Sequence, residues 1–203
     1  MALFDMDTAV LEAQRCYRVL LDAMARPGTL GRLGDRPGAV AVDSPLPPPL
    51  GMVLRTLLDE QVSLAVCGSE ARDWVREISE ITGARLTSMA EADYWVCAGV
   101  PSVDMLARLK QGTLLAPEDG ATAIVWLNSP MQGKAGQVRI SGPGGPSTTA
   151  VAASLPLLQT IEHRMAVPCE YPMGIDLFIM DCESRVLGLP RTSQTSILMD
   201  GEG

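Results

Sequence analysis

The chain has 203 residues, of which 47% are hydrophobic, and a formal net charge of −8. This length and apolar content suffice for one domain with its own core, so we predict a single α/β domain over residues 1–203. The acidic balance disfavours binding to nucleic acid or to anionic lipid, and no apolar run approaches the roughly 18 residues that span a bilayer.

The cysteines and the first residues indicate the compartment. The cysteines are scattered and none lies in Cys-x-x-Cys spacing, which predicts free thiols, with Cys67 and Cys97 buried in apolar strands. Residues 1–7 carry two aspartates and no basic cluster, which is not typical of a signal peptide. We therefore expect a cytoplasmic protein.

In the first half of the chain, apolar spacing predicts a helix that Asp5 or Asp7 caps and that Arg26-Pro27-Gly28 ends. Residues 28–49 are too long for an ordinary loop, and we expect a short hairpin or an arm there. A second helix is predicted to begin after the proline run at 45–49. The next elements are predicted as a strand at 62–67, a helix at 69–81 capped by Ser69, a strand at 94–98 and a short helix at 103–110.

The second half is predicted to hold further strands at 121–127 and 138–141, a helix that residues 147–149 cap and that runs to about 165, and a final pair of strands at 175–180 and 186–189. Strands alternate with helices through the first part of the chain, and the strands are continuous apolar runs. Both features indicate an α/β fold with a mixed, mostly parallel sheet that helices cover on both faces.

The sequence offers few side chains for acid–base catalysis, metal binding or Schiff-base formation. His163 is the single histidine, which excludes a two-histidine metal site, and its place near a helix end favours a structural role over that of a general base. Lys110 and Lys134 lie at a helix end and in a glycine turn, where we expect solvated side chains rather than a Schiff-base amine. We therefore predict no catalytic residue, no metal and no bound cofactor.

The glycine–proline turn at 142–146 is a candidate anion site. It lies between a predicted strand and a predicted helix, and a helix N-terminus after glycines can bind phosphate through its N–H groups. Gly144, Gly145 and Ser147 are therefore candidate ligand contacts. The two prolines of the turn remove donors and the lysine of a Walker loop is missing, which favours a structural turn instead.

A second candidate is the pair Asp176 and Arg191. Asp176 begins a predicted strand, and Arg191 follows the last predicted one. A structural ion pair between them is favoured over a catalytic acid, and both are also candidate contacts to an anionic ligand. Glu118, in a turn before a strand, is an alternative base.

Six segments, in order from about residue 14 to residue 192, resemble motifs of the H subunit of the bacterial carbon–phosphorus lyase system, the PhnH family. Any one match is weak, but six in order are hard to obtain by chance. Gly145 departs from the aliphatic residue that the family usually has. The segments are YRVLL with AMARPG at 17–28, LLDE at 57–60, GT with APEDGAT at 112–122, ISGPG at 140–144, PMGIDL at 172–177 and GLPRT at 188–192.

The resemblance implies a cytoplasmic homodimer that joins partner subunits G, I and J in a core complex. With subunits I, G and L, that system makes a ribose 1-phosphonate 5-triphosphate from MgATP and an alkylphosphonate, and a radical enzyme later cleaves the carbon–phosphorus bond. The resemblance also implies a fold similar to that of pyridoxal-phosphate transferases without the cofactor. The presence of only two lysines agrees with this.

The favoured hypothesis is a structural or assembly subunit of this transferase complex, without an active site of its own. One alternative is a stand-alone enzyme that acts on a phosphorylated small molecule. Another is a protein that binds a nucleotide or a phosphonate without turning it over. Met131, Met173 and Met199 are candidate contacts to partner subunits, and positions in the core or the tail explain them equally well.

Overall fold

The computed structural model describes residues 2–34, 44–68, 71–142 and 148–199. The helices are α1 (Ala2–Ala25), α2 (Pro48–Leu57), α3 (Ala71–Thr82), α4 (Val103–Ala107) and α5 (Leu155–Ala166). The strands are β1 (Leu30–Arg32), β2 (Ser63–Gly68), β3 (Arg85–Leu86), β4 (Tyr94–Ala98), β5 (Thr122–Leu127), β6 (Gly136–Ser141), β7 (Thr149–Ala153), β8 (Asp176–Asp181), β9 (Arg185–Leu189) and β10 (Gln194–Met199).

The larger sheet has seven strands in the order β1-β9-β8-β5-β4-β2-β3. The five strands from β8 to β3 are parallel to one another. The strands β9 and β1 extend the sheet in antiparallel orientation beyond β8. The predicted α/β fold with a mixed, mostly parallel sheet is confirmed.

Apolar side chains of the central strands point to both faces of this sheet, which explains their continuous apolar sequences. In β5, Val125 belongs to one buried cluster and its neighbours Ile124 and Trp126 belong to the other. Residues of α1, α2 and α3 complete the cluster on one face. Residues of α4, α5 and a second sheet complete the cluster on the opposite face.

The second sheet has three antiparallel strands in the order β10-β6-β7. It packs its apolar side chains against the main core through residues such as Val138, Ile140 and Val151. Among the described helices, none combines the length and the apolar character needed to cross a membrane.

The predicted helix after residue 147 is wrong in its first part. The chain forms β7 there, and α5 begins only at Leu155, with Ser154 at its N-cap and a proline in its first turn. Pro156 explains this boundary, because a proline inside a helix lacks the N–H that its hydrogen bond needs and its ring contacts the preceding turn. Residues 142–148 therefore lie between two strands rather than between a strand and a helix.

Other boundaries also differ from the sequence-based predictions. Helix α1 already begins at Ala2, so the predicted caps at Asp5 and Asp7 are wrong. The residues before them include no glycine or proline that would stop the helix. The short helix α4 ends at Ala107 rather than at residue 110. Ser69, the predicted cap of α3, lies outside the described residues.

Candidate functional site

A cavity of about 310 Å³ lies where the end of α5, the start of β10 and the residues before β8 meet. This volume is at the lower end of the range of about 300–1,000 Å³ that is typical of small-molecule sites. Among the residues that line it, none is an aspartate or glutamate. The lining residues are Gln111, Arg164, Met165, Val167, Cys169, Gly174, Ile175, Arg191, Ser193, Gln194 and Thr195.

The ion pair predicted between Asp176 and Arg191 is present, and its arginine lines the cavity. Oδ1 of Asp176 accepts a hydrogen bond of 2.8 Å from the backbone N–H of Arg191. The guanidinium donates to both carboxylate oxygens, with Nε at 3.3 Å from Oδ1 and at 3.2 Å from Oδ2. Both side chains are largely buried, so this bidentate pair holds the guanidinium in one orientation.

Two glycines leave room for Arg191. A Cβ at Gly120 would lie 2.4 Å from the carbonyl oxygen of Gly174 and 2.9 Å from Nη1 of Arg191. Gly174 has a φ of +138°, and a Cβ there would lie 3.2 Å from Cβ of Arg191. The motif segments at 112–122, 172–177 and 188–192 therefore meet around one arginine.

Arg164, in the last turn of α5, brings a second guanidinium to the cavity. Its Nη2 donates a 2.9 Å hydrogen bond to the carbonyl oxygen of Pro190, directly before Arg191. Burial lowers the pKa of Arg164, and the nearby Cys169 and Asp176 offset part of that effect. The described structure gives Arg164 no ion pair with a carboxylate.

Three buried polar atoms of the cavity-lining residues have no hydrogen-bond partner in the protein. They are Nε of Arg164, Nη1 of Arg191 and Oγ of Ser193. Leaving such an atom buried without a partner costs about 1–3 kcal/mol. In the described chain only Nε1 of Trp95 and Oγ of Ser154 share this condition, so unpaired polar atoms concentrate at this cavity.

The position of the cavity differs from that of the usual ligand site in a parallel sheet. Such sites generally lie beyond the carboxyl ends of the strands. Here Ile175 and Asp176 stand at the amino end of β8, next to Thr122 at the amino end of β5. Strand β9 runs antiparallel to β8, so Arg191, which follows the carboxyl end of β9, lies at the edge of the sheet where β8 begins.

The glycine turn is only partly described. Gly144, Gly145 and Ser147 lie outside the described residues. The preceding Gly142 is described, and a Cβ there would lie 3.1 Å from Oγ of Ser193. Because β7 follows the turn, the predicted phosphate site at a helix N-terminus lacks its helix.

The other side chains considered as candidates for catalysis do not line the cavity. Nδ1 of His163 is 2.7 Å from the carbonyl oxygen of Pro101, so it serves as the donor in a contact between α5 and the loop before α4. Lys134 is exposed, as predicted. Glu118 is part of a single 3-10 turn before β5. Lys110 is not simply solvated, because its ammonium group forms an ion pair with Asp93.

The ion pair of Asp93 with Lys110 predicts a pH dependence of stability. Oδ2 of Asp93 also accepts bonds from the backbone N–H and the hydroxyl of Ser63, at 2.8 and 2.6 Å. Partial burial disfavours the charged carboxylate, but the bonds from Lys110 and Ser63 and the charge of Lys110 outweigh this, and the pKa of Asp93 falls from 3.8 to about 2. Because the pKa is lower in the folded state, the stabilisation is complete above pH 4 and is lost as the pH falls through 2.

We expect Asp93→Asn to lower the free energy of unfolding by about 1 kcal/mol near neutral pH, a value reduced for solvent screening of this half-exposed pair. Urea unfolding from pH 7 to pH 2 measures the difference between variant and wild type, which should shrink below pH 4. Lys110→Met should reproduce part of the effect. A difference that stays constant over this range would contradict the assignment.

Asp176 and Arg191 are predicted from the sequence, whereas the cavity residues Arg164, Ser193 and Gln111 are not. Arg164 follows His163 in a helix, and no motif or spacing marks it. Within the described residues, no three His, Cys, Asp or Glu side chains gather closely enough to hold a metal ion. The described cysteines are free thiols as predicted; Cys97 is buried, whereas Cys67 is only half-buried.

Comparison with known proteins gives two matches over nearly the whole chain. The family model "Bacterial phosphonate metabolism protein (PhnH)" matches residues 5–196. A curated protein of Rhizobium meliloti (strain 1021), alpha-D-ribose 1-methylphosphonate 5-triphosphate synthase subunit PhnH, is 34% identical over 197 residues, which cover 91% of this chain and 90% of that protein. The motif resemblance is thereby confirmed, and the chain belongs to the PhnH family of bacterial phosphonate metabolism proteins.

Proposed function

We propose that this protein is a subunit of a carbon–phosphorus lyase core complex, which makes ribose 1-phosphonate 5-triphosphate from MgATP and an alkylphosphonate. The observation that carries this proposal is the match with a relative that is itself named as a subunit of such a synthase, over 91% of this chain. The protein is cytoplasmic, forms one domain over residues 1–203, and joins partner subunits G, I and J.

Its role in the complex is structural rather than catalytic. In support of this, the side chains best suited to acid–base work are already engaged within the protein. Asp176 is bound by Arg191, Lys110 by Asp93, and His163 by a backbone carbonyl. We expect the fold to be similar to that of pyridoxal-phosphate transferases without the cofactor, and neither Lys110 nor Lys134 lines the cavity.

A stripe of exposed apolar side chains on α1 supports contacts with other chains. Val10, Tyr17 and Leu21 recur at helical spacing and are each about half exposed. We assign this stripe to the homodimer or to a partner subunit. Of the candidate methionines, Met131 is fully buried, which agrees with the alternative of a core position, and Met173 is half-buried.

Co-expression with the G, I and J subunits of the same source tests the proposal. We expect the tagged chain to recover all three partners through affinity and size-exclusion chromatography. The double variant Tyr17→Glu with Leu21→Glu should lose either the homodimer or a partner. Leu115→Glu, which changes an exposed leucine outside α1, is the control. A wild-type chain that recovers none of its partners would overturn the proposal.

A further inference from the structure

The cavity at Arg164 and Arg191 carries one positive charge that the protein leaves unbalanced. Asp176 neutralises Arg191, whereas Arg164 donates only to a backbone carbonyl in the bonds described. No lining residue is acidic. In a chain with a net charge of −8, Arg164 is a largely covered cation whose described bonds include no carboxylate. Such a group is destabilising unless an anion balances it.

The unpaired polar atoms indicate the shape of the missing anion. They belong to Arg164 on α5 and to Arg191 and Ser193 in the loop between β9 and β10, and therefore come from two segments. A planar carboxylate offers two oxygens in one plane. A tetrahedral phosphoryl or phosphonyl group offers three oxygens in different directions, which suits three donors that come from a helix and a loop.

The remaining lining indicates what the anion is attached to. Met165, Val167 and Ile175 give the cavity an apolar part. A volume of about 310 Å³ exceeds what a bare inorganic ion needs and is small for a nucleoside triphosphate. A tetrahedral anionic head with a small apolar substituent fits both parts.

We infer that this cavity is a binding site for a small organophosphonate or phosphate monoester, with Arg164, Arg191 and Ser193 as contacts to its oxyanion and with Asp176 as a positioning residue for Arg191. The choice of phosphonates as probes rests on the proposed function. The site itself rests on the cavity, and it is testable on the isolated chain whether or not the chain joins a complex.

Isothermal titration calorimetry on the isolated full chain tests the site with phenylphosphonate, methylphosphonate, inorganic phosphate, acetate and ATP. We expect phenylphosphonate to bind with a Kd below about 1 mM and more tightly than the other four. Absence of phosphonate binding at about 10 mM would overturn the inference. Equal or tighter binding of phosphate or acetate would overturn the proposed ligand class, and tighter binding of ATP would assign the cavity to a nucleotide.

Three variants locate the binding. Arg164→Met should weaken phenylphosphonate about tenfold or more, because a charged hydrogen-bond donor is lost. Ser193→Ala, a smaller change that is suited to the case in which Arg164→Met does not fold, should weaken it by about threefold or more. Arg76→Met, at an exposed arginine of α3 on the opposite face of the large sheet, is the matched control. Unchanged affinity in both cavity variants, or an equal loss in the control, would place the binding elsewhere.

Discussion

Asp181→Ala is expected to lower the free energy of unfolding by about 3 kcal/mol or more, which for a chain of this size is a fall of roughly 6–12 °C in Tm. Asp181 is fully buried. Its Oδ1 accepts from the backbone N–H groups of Glu183 and Arg185, both at 3.0 Å, and its Oδ2 accepts from that of Met131 at 2.9 Å.

The reason for this large effect is that the alanine variant leaves three backbone donors without an acceptor. Two of them shape the turn between β8 and β9, and the third fixes the loop after β5 against the end of β8. Each bond to a charged acceptor contributes about 1.5–3 kcal/mol, and unpaired buried donors add a desolvation cost. We therefore expect the variant to destabilise the whole sheet and not only the turn between β8 and β9.

Chemical and thermal unfolding of the purified variant measure this effect. Glu183→Ala is a control in the same turn, because Glu183 is much more exposed and pairs with Arg185 at the surface. Its expected change is below about 1 kcal/mol, as for other surface ion pairs. Similar losses in the two variants would show that Asp181 does not organise the turn.

Gly188→Ala is expected to be similarly severe, with a loss of about 3 kcal/mol or more, because no side chain fits between β9 and α1. A Cβ at Gly188 would lie 2.6 Å from the backbone carbon of Ala23, 2.7 Å from its oxygen and 2.8 Å from the nitrogen of Met24. Real Cβ atoms do not approach backbone atoms so closely. Since the obstacle is backbone, the helix itself has to move away from the sheet.

Gly34→Ala is the matched control for this prediction, because a Cβ at Gly34 meets no atom within 4 Å. It should change the free energy of unfolding by less than about 0.5 kcal/mol. Melting curves of the two variants, recorded under the same conditions, provide the comparison. If Gly188→Ala and Gly34→Ala have the same melting temperature, α1 does not pack against β9 at the described distance.

The sequence predicts well those parts of the fold in which the local hydrophobic pattern agrees with the burial of the residues in the tertiary structure. The sequence predicts the strand Tyr94–Ala98 with its observed bounds, since a strand buried on both faces has a short apolar run without alternation. The small antiparallel sheet was largely missed. Its strand β10 has mixed polarity, and the residues of β7 lie directly before a helix, whose start is set by Pro156 rather than by the Ser and Thr residues at 147–149.

For the candidate site, residue type alone suggested that Asp176 and Arg191 pair, and the structure confirms the ion pair. The sequence by itself also determined the family, because six ordered motifs are a property of the linear chain. What only the tertiary structure decided is the cavity. Arg164 and Ser193 reach it from different elements, and whether a buried donor lacks a partner depends on atoms far away in the chain. Hydrophobic periodicity in the sequence predicts which side chains are buried, but not which of them contact one another.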